Sequence, residues 1–284
     1  MRFSAPVMAA LLAVSCSDGA MTGKGPLPLL IDRTPDSGLG GFASVCGSPA
    51  RTLIVDANGQ GPCLFDFDSD GVLDLFLPQG ATHESPHLGR SALFRGRGQG
   101  QFERIADAAG LDLPGWWTAA AAADPDGDGD PDLYLCGLGQ DVLFRNDKGR
   151  FIPAARPEGG AAWTAGAVWA DLTGSAAMDL YLVRYAELAP WPEPLPRGAI
   201  ANLPCNWKGH EVFCGPHGLA ALPDVLLEGD GAMGLTDVTS RSGLADAAPG
   251  FGLAACPLDA NDDGATDLYV ANDSTPNHMF FRDG

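Results

Sequence analysis

Positive charge is scarce in this chain. Lysine and arginine total 17 against 36 aspartates and glutamates, a net charge of −19 over 284 residues. A field this negative excludes nucleic acid and anionic lipid surfaces as favoured partners. Acid–base chemistry is also thinly supplied, with five histidines and four tyrosines. Hydrolysis or elimination needs convergent acids, bases and stabilisers, and no such constellation stands out. The apolar run at residues 5–14 is too short to span a bilayer.

Glycine and proline are abundant, at 38 and 23 residues. They point to many turns and an all-β architecture. Hydrophobic residues make up 45%, ample for a core.

The acids are not spread evenly. Asp124, Asp126, Asp128 and Asp132 stand at positions 1, 3, 5 and 9 of one loop, with Gly129 at position 6. Asp66, Asp68, Asp70, Gly71 and Asp74 repeat that spacing, as do Asp259, Asn261, Asp263, Gly264 and Asp267. Bare carboxylates so close together repel, and a hard cation relieves the repulsion. Calcium takes about six to eight oxygens from carboxylates, a backbone carbonyl and water. Glycine at position 6 permits the sharp turn around the ion. About three calcium sites are expected, and the chain stays acidic with all of them filled. A fourth copy, Asp171 to Asp179, keeps only its outer aspartates, with Ala176 in the glycine position. It reads as a structural relic.

An EF-hand shares the first six positions but needs a glutamate at position 12 and flanking helices. Position 12 here is Leu77, Leu135 or Val270. Each loop instead runs into Asp-Leu-aromatic-aliphatic, at residues 74–77, 132–135, 179–182 and 267–270. Short apolar runs of this kind fit strands buried on both faces, so each loop is expected to join two strands.

The repeat extends further. A glycine- or alanine-rich strand precedes the loop, as at 117–123 and 251–256. A strand ending Leu93-Phe94-Arg95, Leu143-Phe144-Arg145 or Met279-Phe280-Phe281-Arg282 follows. An edge-like strand such as 102–105 or 235–239 then leads to Gly110-Leu111 or Gly243-Leu244, and residues 30–34 lead likewise to Gly38-Leu39. Four short strands per unit match a propeller blade. The loops begin at 66, 124, 171 and 259, and the last interval is the longest. Its excess lies at about 186–220, where Pro190, Pro192, Pro194, Pro196, Pro204 and Pro216 argue against regular structure.

Arg2, the apolar run and Leu12-Ala13-Val14-Ser15-Cys16 resemble a bacterial lipoprotein signal. The resemblance implies export, lipidation of Cys16, a signal over 1–15 and a polar tether over 16–26. The membrane would be met only through that anchor, at the bacterial cell envelope or surface; an ordinary secretory signal cleaved nearby is the alternative and would leave the chain extracellular. Six other cysteines remain in an exported chain, which suggests disulfides with open connectivity. Only Cys205 and Cys214 are close enough in sequence to be paired with each other. Cys46, Cys63, Cys136 and Cys256 are left unassigned.

Together the loops, the Leu-Phe-Arg-Asn strands and the Gly-Leu turns resemble FG-GAP/VCBS repeats. The run from Cys205 to Leu219 and Ala271 to Asn277 resemble segments of the ASPIC/UnbV-type, cartilage-acidic-protein-like group. The resemblance covers about residue 27 or 30 to the end. It implies an all-β β-propeller of four-stranded blades, about seven in the complete family and four to five here, in a chain lacking later blades. It implies calcium held by Asp66, Asp68, Asp70 and Asp74, by Asp124, Asp126, Asp128 and Asp132, and by Asp259, Asn261, Asp263 and Asp267. The carbonyls of Val72, Asp130 and Ala265 would complete the three sites. The expected role is a non-enzymatic surface module for a protein or glycan ligand, with structural calcium. A propeller-based glycan lyase or hydrolase is the alternative.

Two further motifs carry less. His83-Glu84-Ser85-Pro86-His87 matches a zinc-protease string, but Pro86 opposes the helix that string needs. Trp116, Trp117, Trp163 and Trp169 precede calcium loops and are read as packing rather than a sugar platform.

Overall fold

The computed structural model describes residues 31–48, 54–82, 85, 89–155, 162–187, 205–212, 215–216 and 218–283. The chain divides into two compact units, Met1–Asp32 and Arg33–Gly284, and the strands lie in the second. Cys16, Cys214 and the histidines of the zinc-protease string lie outside the described residues.

Apolar runs broken by glycine and aspartate turns give a series of antiparallel sheets. The first holds β1 (Cys63–Phe65), β2 (Asp74–Leu77), β3 (Ala92–Gly96) and β4 (Phe102–Arg104) in sequence order. The second holds β5 (Trp117–Ala123), β6 (Asp132–Gly137), β7 (Val142–Asn146) and β8 (Phe151–Ala155). The third is built of β9 (Ala162–Ala170), β10 (Asp179–Glu187), β13 (Val225–Gly229) and β14 (Leu235–Asp237). The fourth has three strands, β15 (Phe251–Leu258), β16 (Asp267–Asp273) and β17 (His278–Phe280).

Period-two alternation explains how the sheets stack. Leu133 and Leu135 of β6 face the first sheet and pack with Phe65, Phe76 and Leu93. Tyr134 and Cys136 point the other way and meet Leu180 and Leu182 of β10. Tyr181 and Val183 of β10 in turn meet Leu268 and Val270 of β16. The Asp-Leu-aromatic run therefore serves both faces of its sheet, as its unbroken hydrophobicity predicts. Each fully buried leucine or phenylalanine contributes roughly 1.5–3 kcal/mol. Trp116, Trp117 and Trp163 are buried too, so they are packing residues.

The proline-rich stretch departs from expectation. β10 runs on to Glu187, and β11 (Cys205–Trp207) pairs with β12 (His210–Val212) as a separate ribbon. Its turn is Lys208-Gly209, both at positive φ, with the Gly209 amide donating to Asn206 Oδ1 at 2.8 Å. Positive φ at both central residues suits a tight hairpin, and the prolines of this stretch lie outside 205–212. The ribbon falls between the second and third strands of the third sheet.

The expectation of disulfides is not met among the described cysteines outside this stretch. Cys63 and Cys136 are buried thiols and Cys256 is an exposed one. Cys63 and Cys256 do occupy equivalent positions, opposite Phe76 and Tyr269. Burial pushes the Cys63 thiol up to about 11, which makes it an inert packing group.

Candidate metal centre

Each acidic loop joins the first two strands of a sheet: β1 to β2, β5 to β6, β9 to β10, and β15 to β16. Strands on both sides exclude an EF-hand.

Position 1 closes the loop. Asp66 accepts the amides of Asp70 and Gly71 at 3.0 and 2.8 Å. Asp124 accepts those of Asp128 and Gly129 at 3.1 and 3.0 Å. Asp259 accepts those of Asp263 and Gly264 at 3.1 and 2.9 Å. Gly71, Gly129 and Gly264 all have φ between 85° and 92°, where glycine is unstrained. Position 5 then orders position 7: Asp70, Asp128 and Asp263 accept the amides of Val72, Asp130 and Ala265 at 2.8, 3.0 and 2.7 Å.

Position 9 is buried in every copy. Asp74, Asp132, Asp179 and Asp267 are at most 1% exposed. One oxygen of each accepts an amide at the end of the third strand or just past it: Gly96 at 2.7 Å, Asn146 at 2.7 Å, Gly229 at 3.0 Å and Arg282 at 2.9 Å. The other oxygen accepts the amide at position 2, from Phe67, Leu172 or Ala260, at 2.9 Å each time. In the second loop position 2 is Pro125, which has no amide hydrogen. Asp132 Oδ2 is accordingly buried without a partner. Burial pushes this carboxyl up to about 7, and Asp126, Asp128 and Asp124 push the same way.

The first two loops gather their carboxylates most closely. One oxygen from each of Asp66, Asp68 and Asp74 lies within 4.8 Å of the others, and the same holds for Asp124, Asp126 and Asp128. Asp68 Oδ1 is a second buried oxygen without a hydrogen-bond partner. Orphaned acceptors inside a cluster of like charge are what a cation site requires. The residues present therefore fit calcium. Third-strand arginines lie against the same acids. Arg95 sits 2.5 Å from Asp68 Oδ2, and Arg145 lies 3.4 Å from Asp128.

The Asp259 loop is more self-sufficient. Asn261 donates its amide to Asp263 Oδ2 at 2.8 Å. The Ala265 amide and Asn261 hold the Asp263 carboxyl below its usual range. The relic loop keeps its shape without inner acids. Asp171 accepts the Gly174 and Ala176 amides at 2.7 and 3.2 Å, and Arg282 Nη1 lies 3.6 Å from Asp171.

A second repeated tie, at the opposite end of the sheets, escaped the sequence reading. Tyr134 donates to Asp141 Oδ2 at 3.1 Å, and the Gly137 amide donates to Asp141 Oδ1 at 2.9 Å. Tyr181 and the Arg184 amide use Asp224 in the same way, both at 2.7 Å. In the fourth sheet the direction at the tyrosine reverses: Asn277 Nδ2 donates to Tyr269 Oη at 2.6 Å, while Asn277 Oδ1 accepts the Asn272 amide at 2.8 Å. In the first, Phe76 replaces the tyrosine and Ser91 alone accepts the Gln79 amide at 3.1 Å. The available signal is a small polar residue directly before each third strand, at 91, 141, 224 and 277. Burial raises the carboxyls of Asp141 and Asp224 above their ordinary value.

Residues 66–135 and 124–182 match the family described as FG-GAP-like repeat. Both matches begin at position 1 of an acidic loop. No curated protein matches the chain. Among the solved structures that match, one is described as the structural basis of specific recognition of non-reducing terminal N-acetylglucosamine by an Agrocybe aegerita lectin. It shares 17% identity with a TM-score of 0.38, over 76% of this chain and 50% of that one. The chain thus spans half the length of that lectin. No helix among the described residues is long and apolar enough to cross a membrane.

Proposed function

We propose that these FG-GAP-like repeats form part of a calcium-stabilised β-propeller of the ASPIC/UnbV type. In this reading the protein is exported, anchored by lipid at Cys16, and works as a non-enzymatic interaction module for a protein or glycan. The observation that carries the calcium reading is Asp68 Oδ1, a buried oxygen left without a donor inside the Asp66, Asp68 and Asp74 cluster, with Asp132 Oδ2 a second such oxygen at the end of the next acidic loop. Asp66, Asp68, Asp70 and Asp74 would hold one ion, and Asp124, Asp126, Asp128 and Asp132 a second. Asp259, Asn261, Asp263 and Asp267 would hold a weaker third, since Asn261 already satisfies Asp263. Calcium supplies charge neutralisation here, and the acids supply loop shape.

Extracellular calcium modules bind at roughly 10⁻⁴–10⁻³ M. At about ten times the dissociation constant, one site adds ~1.4 kcal/mol to stability. Two or three sites then contribute a sizeable share of a domain's roughly 5–15 kcal/mol. Calorimetric titration of chelated protein with calcium tests the reading. Saturable binding that Asp126→Ala weakens supports it, and an absence of binding refutes it. The interaction role is tested separately, by binding of the calcium-loaded protein to immobilised glycans and envelope proteins. Turnover of a polysaccharide would favour the lyase or hydrolase instead.

A further inference from the structure

A chain of hydrogen bonds joins the first two acidic loops through Asn146, the fully buried last residue of β7. Its backbone amide donates to Asp132 Oδ1, at position 9 of the second loop, at 2.7 Å. Its side-chain Nδ2 donates twice, to the Pro131 carbonyl of that loop at 3.0 Å and to the Phe67 carbonyl of the first loop at 2.8 Å. The Phe67 amide donates in turn to Asp74 Oδ2 at 2.9 Å. The buried position-9 acids of neighbouring sheets are thus linked through two residues, Asn146 and Phe67. Phe67 stands between Asp66 and Asp68, so fixing it fixes how both are presented. A second tie lies at the surface, where Ser69 Oγ of the first loop donates to the Gly129 carbonyl of the second at 3.1 Å.

The place of Asn146 is held elsewhere by Gly96, Gly229 and Arg282, whose amides tie position 9 of their own loops in the same way. Arg282 also reaches back, with Nη1 donating to the Asp171 carbonyl of the preceding loop at 3.4 Å. Gly229 has no side chain with which to reach the second loop, and a Cβ there would lie 2.2 Å from the Met178 carbonyl oxygen. Contact through this place therefore runs from the first loop to the second, breaks at Gly229, and resumes between the relic loop and the Asp259 loop. The relic loop lacks inner acids. The first two loops are accordingly the one pair of candidate calcium sites that a side chain at this place joins among the described residues.

We infer that Asn146 couples the first two loops, so that filling either with calcium raises the affinity of the other. The inference rests on the calcium reading above and adds a regulation of the same sites. A filled second loop holds Pro131 and Asp132 still, and with them the Asn146 side chain. The Phe67 carbonyl then meets a fixed donor, and less ordering of Asp66 and Asp68 is left to oppose binding at the first loop. The coupling is equal in both directions. Charge works the other way, because a filled loop attracts the next cation less. That opposing effect is screened by salt, and a neutral side chain at residue 146 leaves it unchanged. Asn146 acts through the loops and is a positioning residue.

Calorimetric titration of the whole chain with calcium, at about 0.15 M salt, tests the coupling. The Asp259 loop is silenced throughout by Asn261→Ala with Asp263→Ala. One chain keeps both remaining loops. Two others keep one each, through Asp68→Ala with Asp70→Ala or Asp126→Ala with Asp128→Ala. The product of the two stepwise association constants should exceed the product of the single-loop constants about fivefold or more. Asn146→Gly, the residue that two other sheets carry at this place, should remove that excess when the same three chains are remade with it. Circular dichroism verifies folding. A merely structural role would shift the single-loop constants and leave the excess alone. Ser69→Ala cuts only the exposed tie and should lower the excess part-way, and it decides the matter should Asn146→Gly not fold. Calcium binding without the excess, or an excess that the deciding variant leaves unchanged, would overturn the coupling while the calcium sites stand. No calcium binding by any of the chains would overturn the calcium reading and the coupling with it.

Discussion

Asp132 Oδ2 is an orphan because residue 125, whose amide would reach it, is a proline. The other three loops show the missing bond, at 2.9 Å from Phe67, Leu172 and Ala260. Pro125→Ala should therefore stabilise the calcium-free protein. Losing proline costs ~0.4–1 kcal/mol through the unfolded chain. A hydrogen bond to a charged group returns ~1.5–3 kcal/mol. The net gain of about 1 kcal/mol is read by urea denaturation in EDTA above pH 7, where the Asp132 carboxyl is ionised. A loss of stability there would show that the amide does not reach Asp132.

Asp179 separates shape from metal. It accepts amides of Leu172, Thr173 and Gly229 in a loop without inner acids. Asp179→Ala leaves three amides without partners, at ~1–3 kcal/mol for each one that stays buried. A loss of about 3 kcal/mol or more is expected, equal in calcium and in EDTA. Chemical denaturation in the two buffers checks it, and a loss confined to calcium buffer would make Asp179 a ligand instead.

Asp141 gives a pH signature. Burial raises its folded carboxyl above the ordinary value, and hydrogen bonds from Thr164, Gly137 and Tyr134 offset this only in part. The folded state thus binds its proton more tightly than the unfolded state. That contribution is present below the unfolded value near 4 and is lost as pH rises through the raised one. Asp141→Asn removes the titration, and Asn277 shows that an amide can take this place by donating to the tyrosine oxygen while accepting the backbone amide. The variant should gain on the wild type as pH rises from about 4 to 7. Thermal melts across that range read the difference, and parallel curves would contradict it.

The periodic parts of this molecule were legible in the residues. Loop spacing and the Asp-Leu-aromatic run located four hairpins, because a turn chemistry and an apolar alternation repeat at fixed distances. The tyrosine–acceptor tie was hidden for the opposite reason. Its acceptor changes from Ser91 to Asp141, Asp224 and Asn277, and in the third sheet it lies 43 residues from Tyr181. The double duty of position 9 was hidden as well. A buried aspartate that ties two amides and one that binds an ion look alike in a string of letters. Only the relic loop, which keeps Asp171 and Asp179 without the rest, marks the structural share. The ribbon in the proline-rich stretch is masked by the prolines on either side of it, because Lys208-Gly209 sits in a short proline-free window.

Asp126, half-buried beside Asp124 and Asp128, tests the loop from within its cluster. Asp126→Ala removes one of three clustered carboxylates and should weaken calcium binding at that loop about tenfold or more. In EDTA the same change relieves repulsion, so the unliganded protein should be no less stable. Calcium titration and melting of the variant read both effects. Unchanged affinity would remove Asp126 from the site.

The central claim, that the acidic loops hold calcium, is met most directly by the melting temperature of the whole chain in millimolar calcium and in EDTA. The account predicts a higher midpoint with calcium, by several degrees for ~3–4 kcal/mol shared over the sites. The excess should vanish as EDTA is added and return with fresh calcium. Superimposable melts in the two buffers would contradict it.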